Sequence, residues 1–220
     1  MVSATEKDIE YLCKDLFDKE KNSILLYGDP KQTLAVLKGV YDKANKRKEF
    51  LCSWHDASKI DQPMDFFEPI LRLKFGDEYE QMREKSWFKD LSGRETKSGV
   101  FQLACLCVQD NNSKNPNERR LPVIFIDGID ELLFKMDYSH LDQEGRKKVL
   151  SDRYMEQPSP KGFGDCLRAY LHQTGKGIFY GSVGNVDSIE NKATLGNPHY
   201  LFYGRNFRPF VVEGSNSKTL

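Results

Sequence analysis

The sequence of 220 residues lacks the cysteine patterns that define a disulfide framework or a zinc site. Its five cysteines are odd in number, and no two of them have the Cys-x-x-Cys spacing. Small disulfide-rich domains and structural zinc sites depend on paired or closely spaced cysteines, so neither class is indicated. We expect reduced thiols that lie mostly in the core.

An excess of charge of one sign and a long hydrophobic run are also missing. Lysine plus arginine and aspartate plus glutamate number 33 each, which gives a net charge of zero. No global electrostatic field therefore draws the chain to nucleic acid or to an anionic membrane, and a role on nucleic acid would need a local basic patch. The N-terminus lacks the order of a signal peptide, and no stretch approaches the ~20 apolar residues of a membrane span. We expect a cytoplasmic protein with no membrane contact.

Segments with helical spacing of apolar residues alternate with short apolar runs that are typical of buried strands. The predicted helices cover 4–20, 32–46, 63–73, 77–97, 99–109 and 165–173, and the predicted strands cover 23–27, 49–54, 121–126, 176–182 and 200–213, the last as a strand or a hairpin. This alternation favours an α/β fold in three layers, α/β/α, with a mostly parallel central sheet and its ligand at the carboxyl ends of the strands. The length suits a single domain over residues 1–220.

An apolar run that ends in carboxylates, Leu121–Leu133, is the strongest functional signal. It places Asp127 at the carboxyl end of a predicted strand, with Asp130 and Glu131 within four residues. Magnesium keeps several waters and is held by few protein carboxylates, while a neighbouring carboxylate can orient a water. The pattern therefore predicts a magnesium–phosphate site. The alternative is that Asp127 caps a turn and the other two acids begin a helix, where they favour the helix dipole.

The loop after the first predicted strand is the candidate phosphate-binding loop. A working phosphate loop has a glycine, four residues, and then Gly-Lys-Ser/Thr, because backbone amides must wrap the phosphates and the hydroxyl must meet magnesium. Here the loop runs from Gly28 to Lys31 and Thr33. Two residues stand where the working loop has four, the second glycine is missing, and Gln32 lies between lysine and threonine.

Two further residues of this loop oppose phosphate binding. Asp29 adds a negative charge where a phosphate would lie, and Pro30 removes an amide donor. The start of the following helix still attracts anions through its dipole. Nucleotide binding in this loop and an ordinary tight turn between a strand and a helix are both open at this point.

Together these motifs resemble the AAA+ and STAND branch of P-loop ATPases. The run 121–133 is similar to the second phosphate-site motif of that branch in its Asp-Gly-apolar-Asp-Glu form. A predicted strand that ends in Gly181 and Ser182, followed by the Leu-Phe-Tyr-Gly-Arg run 201–205, is similar to the archaeal-type ATPase family within the group. The resemblance covers about 23–213. The family usually continues into a helical lid, which we do not expect in this chain.

The resemblance implies roles on the phosphate side of the site. Gly28, Lys31 and Thr33 would contact the phosphates of ATP or ADP. Thr33 and Asp127 would hold magnesium, directly or through water.

The resemblance also implies roles in hydrolysis. Asp130 or Glu131 would polarise the attacking water. Ser182 would sense the γ-phosphate or position water, and Arg205 would approach phosphate in its own chain or across an interface of a homo-oligomer. The alternatives are a strand-end hydroxyl that is satisfied within the fold and a surface arginine.

These features predict a P-loop NTPase-like protein that binds ATP or ADP with magnesium, hydrolyses it slowly or not at all, and converts nucleotide state into contact with a protein partner. ATPase activity is left open, because the phosphate loop is altered. The alternative is a pseudo-ATPase that keeps the fold as a scaffold and acts through protein surfaces without nucleotide. A third possibility is a DNA-handling ATPase that acts in an oligomer, and the balanced charge of the chain gives it little support.

Two other groups of residues favour structural interpretations. His55 and Asp56 end the second predicted strand and could form an acid–base pair, but no serine or cysteine nucleophile accompanies them. The lysine-rich segment 43–48 lies at a predicted helix end, where cations complement the dipole. A solvated face is therefore favoured there over a nucleic-acid patch.

Overall fold

The structure, a computed structural model, describes residues 4–18, 23–60, 63–93, 120–129, 178–182 and 208–212. The helices are α1 (Ala4–Phe17), α2 (Pro30–Asn45), α3 (Pro63–Phe75), α4 (Glu78–Arg83) and α5 (Ser86–Gly93), and the strands are β1 (Ile24–Tyr27), β2 (Phe50–Asp56), β3 (Leu121–Asp127), β4 (Ile178–Ser182) and β5 (Arg208–Val211). The helices predicted over 99–109 and 165–173 lie outside the described residues. No helix in the described part of the chain is long and apolar enough to cross a membrane.

The chain divides into two compact units. The first unit consists of Met1–Ser58, Asn112–Glu131 and Lys176–Leu220, and it contains α1, α2 and all five strands of the sheet. The second unit consists of Lys59–Asn111 and Leu132–Gly175, and it contains α3, α4 and α5. The organisation of residues 1–220 as a single domain stays a prediction.

The five strands form one sheet in the order β2-β3-β4-β1-β5. Every pair of neighbours is parallel. The predicted α/β class with a parallel central sheet is therefore confirmed, and it is consistent with a P-loop NTPase-like fold. The last predicted segment contributes a strand, β5, which pairs with β1 and does not form a hairpin within 208–212. Parallel pairing brings the carboxyl ends of the strands to one edge of the sheet.

One face of the sheet packs against α1 and α2. The buried apolar residues of α2, among them Val36, Leu37 and Val40, recur at the spacing that aligns one face of a helix. They share a core with strand residues such as Val123 and Phe125. Burying such side chains fully stabilises the fold by about 1.5–3 kcal/mol each. This pattern explains why apolar periodicity alone located both helices.

The opposite face of the sheet is buried as well. Leu25, Ile124 and Ile126 point away from the α1 and α2 side, because side chains alternate along a strand, and each is at most 1% exposed. A strand that is buried on both faces has an almost continuous apolar sequence. This requirement explains the uninterrupted apolar run in β3.

The second unit has its own buried aromatic residues, and Phe66, Phe67, Tyr79 and Phe88 are each at most 1% exposed. Pro63 occupies the first turn of α3, as expected from the missing amide of proline. The charged segment 77–97, predicted as helical, forms two short helices within the described residues, and the break falls between α4 and α5.

Candidate functional site

Polar side chains lie next to each other at the carboxyl edge of the sheet. Asp56 at the end of β2 is paired in register with Asp127 at the end of β3. Ile126 of β3 is paired with Gly181 of β4, so Ser182 follows at the level of Asp127. Residues paired across parallel strands point to the same face. We call Asp56, Asp127 and Ser182 the polar row.

Ser182 holds Asp127 in place. Its Oγ donates to Oδ1 of Asp127 at 2.7 Å and accepts from the amide of Gly128 at 2.9 Å. Ser182 is 3% exposed, so a bond to a charged acceptor here is shielded from water. The hydroxyl has one proton, and that proton is engaged by the carboxylate. In this arrangement Ser182 positions Asp127, and its role as a γ-phosphate sensor stays a prediction.

Two glycines allow the turn after β3 to approach the end of β4. Gly128 has a φ of 70°, which lies in the left-handed region that glycine adopts without strain. A Cβ atom on Gly181 would lie 3.1 Å from Cγ2 of Ile129, which is closer than most carbon contacts. The glycines of the Asp127-Gly128 and Gly181-Ser182 pairs therefore allow the two chain segments to come close enough for the amide of Gly128 to donate to Ser182.

In the loop after β1, backbone amides donate hydrogen bonds to a carboxylate of the same loop. Gly28 ends the strand with a φ of 140°, and Asp29 is the N-cap of α2. Oδ1 of Asp29 accepts from the amides of Lys31 at 3.0 Å and Gln32 at 3.1 Å. Pro30 has no amide hydrogen to offer. The amides that a phosphate would use at the start of a helix are thus already bound within the chain.

Thr33, predicted as a magnesium ligand, is engaged by the backbone. Its Oγ1 lies 3.1 Å from the carbonyl oxygens of both Asp29 and Pro30, and the residue is 1% exposed. Its amide donates to the carbonyl of Asp29 at 2.9 Å, which is the first hydrogen bond of the helix. The oxygen keeps its lone pairs for a metal ion while its proton is engaged, so the obstacle to magnesium is the burial of the side chain.

The residues present fit a magnesium-bound nucleotide only in part. Asp127 suits magnesium, because it is a half-buried carboxylate held in a fixed orientation. The amides of Lys31 and Gln32 do not suit a phosphate in this arrangement, because each already donates to Asp29, and the hydroxyl of Thr33 is buried. Within the described ranges, no group of three histidine, cysteine, aspartate or glutamate side chains could hold a metal ion.

Three of the predicted site residues lie outside the described residues. They are Asp130, Glu131 and Arg205, and their roles in polarising water and contacting phosphate stay predictions. The structure brings Asp127 and Ser182 together and places Gly28, Lys31 and Thr33 at the start of α2.

His55 and Asp56 do not form an acid–base pair, because adjacent residues of a strand point to opposite faces. The Nε2 atom of His55 lies 3.0 Å from Oγ of Ser53, and burial lowers the pKa of His55 to about 4. Asp56 accepts from the amide of Ser58 at 3.1 Å and from its hydroxyl at 2.6 Å. The place of Asp56 in the polar row was not foreseen, since it depends on the register between β2 and β3.

Comparisons with known proteins leave the family of this chain open. No protein-family model and no curated protein sequence matches it. Among solved structures, the chain is similar to the ORC2 protein of Aeropyrum pernix in its ADPNP and ADP complexes, with 12% sequence identity and a TM-score of 0.44. The match covers 94% of this chain, which spans about half the length of that protein, 46%. The α/β class with a parallel sheet therefore rests on the strand order and register of the chain itself.

Proposed function

We propose that this chain is a P-loop NTPase-like protein that binds ATP or ADP with magnesium weakly, hydrolyses it slowly or not at all, and couples nucleotide state to contact with a protein partner. The observation that carries the proposal is a carboxylate fixed at the end of β3, at the same edge of the sheet as a phosphate loop whose amides are bound within the chain. Ser182 fixes the orientation of Asp127 through a hydrogen bond. The carboxylate of Asp29, in contrast, accepts hydrogen bonds from the amides at the start of α2.

The acidic edge supports the nucleotide part of the proposal. Asp127 ends a central strand, is half-buried and keeps its orientation through a hydrogen bond of 2.7 Å. A magnesium ion bound to a nucleotide takes few protein ligands and needs a carboxylate in such a position. Because Ser182 donates to one carboxylate oxygen, the other oxygen of Asp127 is left in a fixed position for a metal ion.

The phosphate loop supports weak binding and slow hydrolysis. A phosphate at this edge would have to displace Asp29 from two amides, and an N-cap is worth about 1 kcal/mol. It would also lie close to the negative charge of Asp29 itself. Catalysis of phosphoryl transfer depends on positioning and on charge stabilisation, and this loop is poorly built for both.

A nucleotide-independent scaffold is the second candidate, and the same loop favours it. Ser182, the amide of Gly128 and the hydroxyl of Thr33 all have hydrogen-bond partners within the chain. Such groups need no ligand to complete their hydrogen bonds. In this case the surfaces of the fold would act without any nucleotide.

The two candidates are separated by titration of the purified chain with ATP and magnesium, followed by calorimetry and by the melting temperature. We expect a rise in melting temperature at millimolar nucleotide for the nucleotide-binding candidate, and no heat and no rise for the scaffold. Asp127→Ala should remove the magnesium-dependent part of the stabilisation and leave the fold intact. An unchanged response in this variant would refute the role of Asp127.

A further inference from the structure

The second compact unit contains a cavity of about 520 Å³ bordered by α3, α4 and α5. Met64 and Phe88 give it apolar walls, and Tyr79 lines it as well. Its volume lies within the range of roughly 300–1,000 Å³ that is typical of small-molecule sites. No residue of this cavity belongs to the polar row or to the loop after β1.

The hydroxyl of Tyr79 is the first sign that the cavity suits a ligand. Tyr79 is 1% exposed, and its ring meets Phe88 edge to face at 5.9 Å between centroids. Among the described residues the buried hydroxyl has no partner within hydrogen-bond distance, although the carboxylate of Glu68 is near enough to interact with it. Burial raises the pKa of Tyr79 to about 12, and the charge of Glu68 and its interaction with the hydroxyl add to this effect, so the hydroxyl keeps its proton at neutral pH. A ligand that offers an acceptor oxygen would satisfy this donor.

The charged side chains that line the cavity differ in how closely they are paired with side chains of opposite charge. Glu68 accepts from Arg72 at 2.8 and 3.1 Å, and Glu84 pairs with Lys89 at 2.7 Å. Within the part of the chain that the structure describes, Arg83 has two distant ion pairs, at 3.9 Å from carboxylate oxygens of Glu68 and Glu80.

Arg83 is therefore the cation that a ligand can recruit most easily. A guanidinium group has five donors in a planar fork and matches a carboxylate with two parallel hydrogen bonds. Half of the Arg83 side chain is exposed, so the guanidinium can reorient toward a bound molecule.

We propose that this cavity binds a small organic carboxylate with an apolar body. The carboxylate accepts hydrogen bonds from Arg83 and from the hydroxyl of Tyr79, and the apolar body packs against Met64 and Phe88. A phosphate, which has more negative charge, is disfavoured by Glu68 and Glu84, and an ammonium ligand is disfavoured by Arg83 and Lys89. This site is independent of the proposed nucleotide site.

The test uses the full chain and a matched pair of probes, 3-phenylpropanoate and its uncharged amide. Binding is followed by chemical-shift changes in two-dimensional NMR spectra of the ¹⁵N-labelled protein. We expect the carboxylate to bind saturably with a dissociation constant on the order of a millimolar, as befits a ligand of about eleven non-hydrogen atoms. The amide should bind more weakly, because it cannot form the charged pair with Arg83.

Three variants locate the site. Arg83→Gln should weaken binding of the carboxylate roughly tenfold, and Tyr79→Phe should weaken it roughly fivefold. Arg47→Gln is the matched control, because Arg47 is a half-exposed arginine of the first unit that pairs with Glu49, and it should bind like the unchanged chain. Tyr79→Phe should keep or raise the melting temperature, since the lost hydroxyl has no partner within the described residues.

Several results would overturn the proposal. Absence of saturable binding, or equal affinity in Arg83→Gln, Tyr79→Phe and the control, would show that the cavity is not the site. Equal binding of the amide would refute a carboxylate ligand. A clear fall in the melting temperature of Tyr79→Phe would show that the hydroxyl has a structural partner and would refute its role as a donor to the ligand. The contact between the carboxylate and the Arg83 guanidinium would then be decided by Arg83→Gln.

Discussion

Removal of the Asp29 carboxylate tests the central feature of the site. In Asp29→Ala the amides of Lys31 and Gln32 lose the acceptor that lies 3.0 and 3.1 Å away. Loss of an N-cap costs about 1 kcal/mol, within a range of roughly 0.5–2 kcal/mol. In a chain of 220 residues this cost should lower the melting temperature by about 2–4 °C. Asp29→Asn keeps an acceptor oxygen and removes the charge, so its stability should stay within about 0.5 kcal/mol of the unchanged chain.

The same variants should respond differently to ATP with magnesium. Asp29→Ala frees two amides and removes a negative charge, so millimolar nucleotide should raise its melting temperature more than that of the unchanged chain. Asp29→Asn removes only the charge, and its response should lie between the two. Asp42→Ala, which removes an exposed carboxylate further along α2, is the control and should behave like the unchanged chain.

Two results would refute this reasoning about the loop. If Asp29→Ala is as stable as the unchanged chain, then the cap contributes nothing to the fold. If it loses stability but gains no response to nucleotide, then the capped amides are not what limits binding. Differential scanning fluorimetry, supported by urea unfolding, measures both quantities in one series.

Two further predictions concern the stability of the first unit. Because burial lowers the pKa of His55 from 6.5 to about 4, the unfolded chain binds more protons below about pH 6.5, and stability is lost as the pH falls toward 4. Protonation of His55 in the unfolded chain should lower the free energy of unfolding by roughly 2 kcal/mol between about pH 7 and pH 5. His55→Gln should reduce this loss, as measured by urea unfolding at both pH values. Equal losses in the variant and the unchanged chain would contradict the assignment. A Cβ atom on Gly39 would lie 2.9 Å from Cγ1 of Ile9 and closer still to its Cδ1, so Gly39→Ala should destabilise the chain by about 1 kcal/mol, despite the better helix propensity of alanine. In an Ile9→Ala background the same substitution should be neutral or stabilising, and additive effects in the double-mutant cycle would argue against a contact between α1 and α2 at this point.

Local sequence patterns predicted most of the described elements of the fold. Apolar residues at helical spacing predicted α1 and α2, and continuous apolar runs predicted β1 and β3. These patterns are informative because each element must bury a face or both faces, which is a local requirement on residue type. The break between α4 and α5 was not foreseen, since charged residues support both a long helix and two short ones.

The candidate site was only partly predictable. The altered loop was recognised from its spacing, and the negative charge of Asp29 was expected to oppose phosphate. That this carboxylate would bind the amides of Lys31 and Gln32 was not predicted, although aspartate before a proline is a common helix start.

By itself the sequence determined the alternation of strands and helices, the position of Asp127 at a strand end and the shortened loop after β1. Tertiary structure alone decided which of these residues meet. Ser182 lies 55 positions from Asp127 and binds it only because β3 and β4 are neighbours in register, and Asp56 joins the polar row only because β2 pairs with β3. Strand order and register depend on the packing of the whole sheet, so no local pattern of residues specifies them.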